Sequence, residues 1–506
     1  MKSLVILPII IPLVTASLTL LFRRFQRMQK GLGLAGSIAL FAASLVLAMN
    51  VYEKGIIVHH VGNWPAPYGI PLVADALASI MIILTGLIGV SVATFSLKDI
   101  RSGEFQFGFM PLFHMLLMGV CGAFLTGDLF NLYVWFEVLL IASFVLMTLG
   151  GRRPQIEGSL KYVTINLLAS MFLLCGVGIL YGKVGTLNLA DLSHKLSISP
   201  HSQLVTSSAM LLLVAFSIKS AAFPFFFWLP DSYHTPAFSV SALFAGLLTK
   251  VGVYAMIRTF ILIYRDDISL LIILVIAGLT MVIGVFGAVI QKEIRRLLSF
   301  HIISQIGYSL MGLGIASRLS LTAAIFFTFH VAVAKAALFL VAATIGHEKG
   351  STALEKVGGL YQTHPWLSLF FVLPALSLAG LPPLSGFAAK LALIQAGLKG
   401  HHSLIVFIAL FVSILTLYSM AKIWTMAFWG PEQNVQITRS EKVRPQKSVQ
   451  LFDGLSISFW IPLVLLTAVT LGIGIFAEPL LQFCQQAADT LLQPAIYNQA
   501  VLTEAR

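Results

Sequence analysis

Apolar runs of roughly 20 residues, the length that crosses about 30 Å of hydrocarbon at 1.5 Å per residue, recur from one end of the chain to the other. About fourteen are read this way, near 4–22, 31–50, 71–96, 108–127, 129–149, 160–182, 203–229, 238–257, 269–290, 297–315, 319–346, 366–398, 402–428 and 455–478. The polar stretches between them are short and the longest is 430–453, so no soluble domain of useful size is expected. The pattern predicts an all-α integral membrane protein. The first run lacks a small-residue cleavage site, and its basic cluster, Arg23, Arg24 and Arg27, lies behind it rather than before it. It reads as a retained first helix and not as a signal peptide.

Composition agrees: 58% of the 506 residues are hydrophobic and 10% are charged, where soluble domains carry about 25% charged residues. The formal net charge of +12 could point to nucleic acid. However, the Lys and Arg residues sit mostly in short tracts between apolar runs, which is the pattern of topology signals, and no nucleic-acid partner is expected. With the N-terminus outside, the odd-numbered loops hold the larger share, among them Lys30, Lys98, Arg101, Arg152, Arg153, Lys292, Arg295, Arg296, Arg439, Lys442, Arg444 and Lys447. Lys54, Lys183, Arg258 and Arg265 fall in the even loops. Both termini are therefore expected on the extracytoplasmic face. Cys121, Cys175 and Cys484 show no metal-ligand or disulfide spacing and receive no role.

Several charges lie where a bilayer makes them expensive, at roughly 2.5–3.5 kcal/mol for a Lys, Arg or Asp at the centre. Glu137 is eight residues into the fifth run, Lys219 and Lys250 are deep in the seventh and eighth, His330 and Lys335 share the eleventh, and Lys390 lies in the twelfth. Lys422, near the end of the thirteenth, reads as a lysine snorkelling to an interface. Lys219 and Lys250 lie too far from a span start for that. For Glu137 two readings stand side by side, a structural ion pair with one of the lysines and a member of a proton path. Asp75, near the start of the third run, can cap or orient at a surface or take part in transport. His114 and His301 read as satisfied core histidines, and His330 as the better relay candidate. His330 and Lys335 are five residues apart, about 140° around a helix, so they should meet different neighbours.

Two spans carry breaks. The seventh contains Lys219, then Pro224 and Pro230; the twelfth, about 50 Å if continuous, is interrupted by Gly380, Pro382, Pro383 and Gly386. Backbone freed by proline at membrane depth is tolerated only where protein or a wet cavity satisfies it. The breaks are five spans apart, hence in oppositely directed helices, which is what inverted repeats predict. The chain then divides into helices 1–3 (1–107), a first five-helix repeat (108–257), a second (269–428), and a cytoplasmic loop, last helix and tail (429–506).

The stretches Gly127–Glu137 (GDLFNLYVWFE), Trp228–Pro236 (WLPDSYHTP), Gly246–Tyr254 (GLLTKVGVY) and Leu378–Phe387 (LAGLPPLSGF) resemble the signatures of the antiporter-like subunits shared by respiratory complex I, membrane-bound hydrogenases and Mrp-type Na+/H+ antiporters. The form around Lys250, and a lysine at 390 rather than glutamate, are most similar to the Mrp D-type member. The resemblance implies that Glu137 and Lys219 form a coupled acid–lysine pair, that Lys250 continues a relay, and that Lys335 and Lys390 carry the proton onward. It also implies companion membrane subunits of the A, B, C, E, F and G types, a bacterial cell membrane, H+ moved by this chain and Na+ moved by the complex. No nucleotide motif, haem ligand pair or cysteine cluster is visible, and no cofactor or bound metal is expected. Two alternatives stay open, a proton-pumping subunit of a redox-driven complex and a non-transporting scaffold.

Overall fold

The computed structural model describes residues 2–198, 202–431 and 456–503. The helices follow in chain order as α1 (Leu7–Leu21), α2 (Gln26–Lys54), α3 (Ala76–Asp99), α4 (Ser102–Gln106), α5 (Phe109–Leu125), α6 (Leu129–Thr148), α7 (Arg153–Val184), α8 (Leu189–Ile198), α9 (Gln203–Ser220), α10 (Trp228–Ser232), α11 (Phe238–Leu262), α12 (Asp267–Ile290), α13 (Ile294–Ile315), α14 (Arg318–Lys349), α15 (Leu360–Thr363), α16 (Pro365–Ala379), α17 (Ser385–Lys399), α18 (Ser403–Ile423), α19 (Ile457–Ile475), α20 (Ala477–Leu492) and α21 (Pro494–Thr503). Among the described residues, 12 helices are long and apolar enough to cross a membrane. The fourth apolar run forms the shorter α5 of 17 residues, and the twelfth forms two helices of 15 each, α16 and α17. Residues 432–455 of the long polar stretch, with Arg439, Lys442, Arg444 and Lys447, lie outside the described residues.

Several helices begin where a short acidic side chain takes up one of the first free amides. Asp75 accepts from the Ala78 amide at 2.9 Å, Asp128 from Asn131 at 2.8 Å and Asp266 from Ser269 at 2.8 Å. The cap at Asp75 shortens the third span relative to its apolar run. Residues Pro71–Ala74 form a strand, β2, paired antiparallel with β1 (Ile57–His60) in the register Ile57 to Ala74, and the helix starts only at Ala76.

The seventh run likewise does not make one helix. α9 stops at Ser220, Ala221 turns left-handed at φ +59°, and the short α10 follows. Gly252 of α11 lies against this break. A Cβ there would sit 2.7 Å from the Ser220 amide nitrogen, so only glycine lets α11 approach it. The break in the twelfth run is closed in the same way. A Cβ on Gly386 would fall 1.8 Å from the Ser377 carbonyl oxygen and 2.8 Å from His330 Nε2, so α17 can start beside the end of α16 only because residue 386 has no side chain.

The layering places polar residues at depth. α11 and α14 are enclosed on all sides and α3 and α13 nearly so, whereas α1, α2, α7, α18 and α19 leave most of their apolar windows open. Ile141, Phe407 and Ile414 are each more than 60% exposed, an arrangement stable only where hydrocarbon replaces water. The C-terminal helices α20 and α21 pack back on the body, α20 against α14 and α3 and α21 against α8.

Candidate functional site

Glu137, on the outer wall helix α6, is half-buried, and its Oε1 is buried without a hydrogen-bond partner. Lys219 sits in the last turn of α9 beside the break, 5% exposed. Its Nζ donates to Ser170 Oγ of α7 at 3.2 Å and lies 4.6 Å from the centre of the Phe136 ring. Glu137 is within Coulombic reach of Lys219, but the two do not form a salt bridge. Trp228 of α10 donates Nε1 to the Ile218 carbonyl at 3.1 Å, so the backbone freed next to Lys219 is satisfied from the far side of the break. A cavity of about 10 Å³ joins Lys219 to Tyr162, Asn166 and Trp228.

Lys250 and Lys335 lie on the two enclosed helices. Lys250 Nζ donates to the Ala245 carbonyl of its own α11 at 2.5 Å, and Lys335 Nζ reaches the Leu298 carbonyl of α13 at 3.4 Å. Lys335 is within Coulombic reach of both Lys250 and Lys390. His330, five residues before it on α14, turns instead to α17: its Nδ1 is 2.8 Å from Ser385 Oγ, which is 3.0 Å from Ser377 Oγ. The two side chains do meet different neighbours.

Lys390 closes the row. Its Nζ donates at 3.1 Å to the Ala379 carbonyl, left free where α16 ends, and at 3.1 Å to Ser413 Oγ of α18. Tyr308 of α13 presents its ring 4.8 Å away and bonds the same Ser413 at 2.8 Å. Each broken span therefore brings a lysine to the break, Lys219 before the first and Lys390 after the second. Lys219, Lys250, Lys335 and Lys390 are all buried and are hydrogen-bonded to hydroxyls and backbone carbonyls alone.

Other singled-out residues fall elsewhere. Lys422 donates to the Val289 and Gln291 carbonyls at 2.9 and 2.8 Å, so it caps the C-terminal end of α12, where a cation is favoured. His114 is apart from the row, with Nε2 3.0 Å from the Gly33 carbonyl. His301 is wholly buried but only half satisfied. Its Nε2 bonds Ser419 Oγ at 2.6 Å, its Nδ1 has no partner, and Lys335 and Lys390 are both within Coulombic reach.

Asp75 is not free near a surface. It forms a two-pronged ion pair with Arg258 of α11, at 2.5 and 2.8 Å, and Arg258 also bonds Tyr254 Oη at 3.0 Å and lies over the Tyr497 ring of α21. The loop assignment of Arg258 is corrected here: it is 3% exposed inside α11. The signal that could have found this pair is one lone acid and one lone base, each inside or beside an apolar run.

The NADH:quinone oxidoreductase/Mrp antiporter transmembrane family matches residues 126–416, more than half of the chain and all of the lysine row. The D-type subunit of the Na+/H+ antiporter from Alkalihalophilus pseudofirmus is 45% identical over 506 residues, covering 100% of both chains. A chain in the structure of the Mrp complex from Dietzia sp. DQ12-45-1b is 33% identical with a TM-score of 0.90, covering 99% of this chain and 100% of that one. A chain of respiratory complex I from Thermus thermophilus is 21% identical with a TM-score of 0.82, covering 97% and 99%, and shares the fold. Matched along its whole length in sequence and in shape, the chain belongs to the Na+/H+ antiporter D-type family within the NADH:quinone oxidoreductase/Mrp antiporter membrane proteins.

Proposed function

We propose that this chain is the proton-translocating subunit of a multisubunit Na+/H+ antiporter that expels Na+ at the expense of the proton gradient. It works with other membrane subunits, of the A, B, C, E, F and G types, in a bacterial cell membrane with both termini extracytoplasmic. The observation that carries the reading is the row of four buried lysines bonded only to neutral groups. Burial disfavours the charged form of a lysine and a nearby carboxylate restores it, so a lysine without a fixed counter-ion is poised to gain and lose a proton. Closing Glu137 onto Lys219 to about 4 Å is worth roughly 4 kcal/mol at an effective dielectric of 20. Alternation between the open arrangement and a closed one swings the proton affinity of Lys219, and the proton passes to Lys250, Lys335 with His330, and Lys390. The division into repeats at 108–257 and 269–428 is supported by the matching breaks, each with its lysine.

Lys390 gives a direct test. Arginine keeps the positive charge but does not release a proton in a protein. Lys390→Arg should assemble with the complex, because the Ala379 carbonyl and Ser413 accept from a guanidinium as well, yet Na+-driven proton movement in everted vesicles should fall to background. Wild-type rates would make Lys390 an electrostatic element and end the relay at Lys335 or His330. A second expectation concerns the assembly. This chain alone, purified and placed in liposomes, should show no Na+/H+ exchange, and exchange by the single chain would remove the need for companion subunits.

A further inference from the structure

Where α11, α13 and α14 meet, a cavity of about 10 Å³ is lined by Lys250, Gln305, Ser309 and Thr328 together with Val253 and Val331. Gln305 is wholly buried, and neither its amide oxygen nor its amide nitrogen bonds to any protein atom. A primary amide offers two N–H donors and an accepting oxygen, and leaving it unbonded at depth costs stability. An apolar side chain of the same size would pack there without that cost.

The remaining polar groups of the cavity have fixed roles. Thr328 donates its hydroxyl proton to the Ala324 carbonyl at 2.7 Å, so in the 2.9 Å contact between Ser309 and Thr328 it is Ser309 that donates. Ser309 then has only lone pairs left to offer. Lys250 gives one N–H to the Ala245 carbonyl and keeps two more. The walls thus present a cationic donor, an acceptor, and an amide able to do either. One water needs about 10–15 Å³ and two to four polar partners, and this cavity supplies both.

We propose that Gln305 is a positioning residue of the proton relay, holding one water against the Lys250 ammonium as the first station on the way out of Lys250 toward α14. The inference rests on reading Lys250 as a relay member. One proton moves. The Lys250 ammonium becomes an amine, the water accepts its proton and passes one on, and the Gln305 amide keeps its own protons while fixing the orientation of the water. Lys335 is the onward acceptor.

The test uses the assembled complex in everted vesicles and Gln305→Met, which keeps the volume and removes the polar atoms. If the side chain only packs, replacing an unbonded amide by Met leaves the amount of complex unchanged or raises it, and transport follows that amount. The expected result is a normal amount of complex with Na+-driven proton movement lowered by about tenfold, one hydrogen bond's worth of barrier, and recovery of most of that loss in Gln305→Asn. Wild-type transport in Gln305→Met overturns the proposal. So does failure of the Met variant to accumulate, because the polar amide would then be needed to build the chain rather than to move the proton. Lys250→Ala, measured alongside, separates the two levels. If it transports normally, the relay reading itself fails; if it is silent while Gln305→Met is active, only the water station fails.

Discussion

In Lys219→Ala the complex should assemble, and Na+-driven proton movement should fall by about 10²-fold or more, the scale on which a positioned proton donor matters. Assembly survives because Lys219 has no salt bridge to leave broken. Its removal frees only Ser170 Oγ and takes away a cation whose burial was itself unfavourable. Transport does not survive, because alanine cannot titrate and the field of Glu137 is left with nothing to act on. Vesicles that show the wild-type dissipation of a proton gradient on adding Na+, at wild-type amounts of complex, would refute the role given to the acid–lysine pair.

Arg258→Met should do the opposite, with little protein accumulating. Asp75, 1% exposed, loses both guanidinium bonds and remains as an unpaired carboxylate. Breaking a buried pair from one side costs about 3–5 kcal/mol, against a total stability of roughly 5–15 kcal/mol. Replacing both partners should recover most of the protein. In Asp75→Asn with Arg258→Met the charge is gone, and the Asn oxygen still accepts from the Ala78 amide, so the start of α3 is kept. The readout is the amount of chain in the membrane, with the double variant compared against each single one. Normal amounts of Arg258→Met would show that the pair carries no structural weight.

These two buried cations mark where sequence reading stops. The hydropathy pattern located most of the long helices because bilayer thickness sets a minimum apolar length for each, and the isolated Lys and Glu residues within it pointed to the row. It placed Arg258 in a loop just past the eighth run, because neither the end of α11 at Leu262 nor the partner at position 75, far away in the chain, can be read locally. The start of α3 was misplaced because Pro71–Ala74 is as apolar as the helix that follows. The strand pairing with Ile57–His60 is a long-range event that no local period reveals. Gln305 was missed for a related reason. A neutral amide stands out in an apolar run far less than a charge does, and only the cavity at its tip gives it meaning. His301 is a core residue as read, but nothing in its local sequence discloses that Lys335 and Lys390 lie within Coulombic reach of it.

The enclosure of α14 governs the order in which the molecule can be made. This helix of 32 residues carries His330 and Lys335 and has no lipid-facing side in the finished chain. Yet during synthesis it precedes α16, α17, α19 and α20, all of which form part of its wall. At that stage it meets lipid on the side to which His330 turns, while Lys335 already has α13 beside it, and its long apolar flanks hold it in the bilayer. Only the arrival of the last helices exchanges lipid for protein around it. A nascent or truncated chain therefore holds the middle of the proposed proton path with only part of its walls. The proposed path is completed by the same step that encloses it.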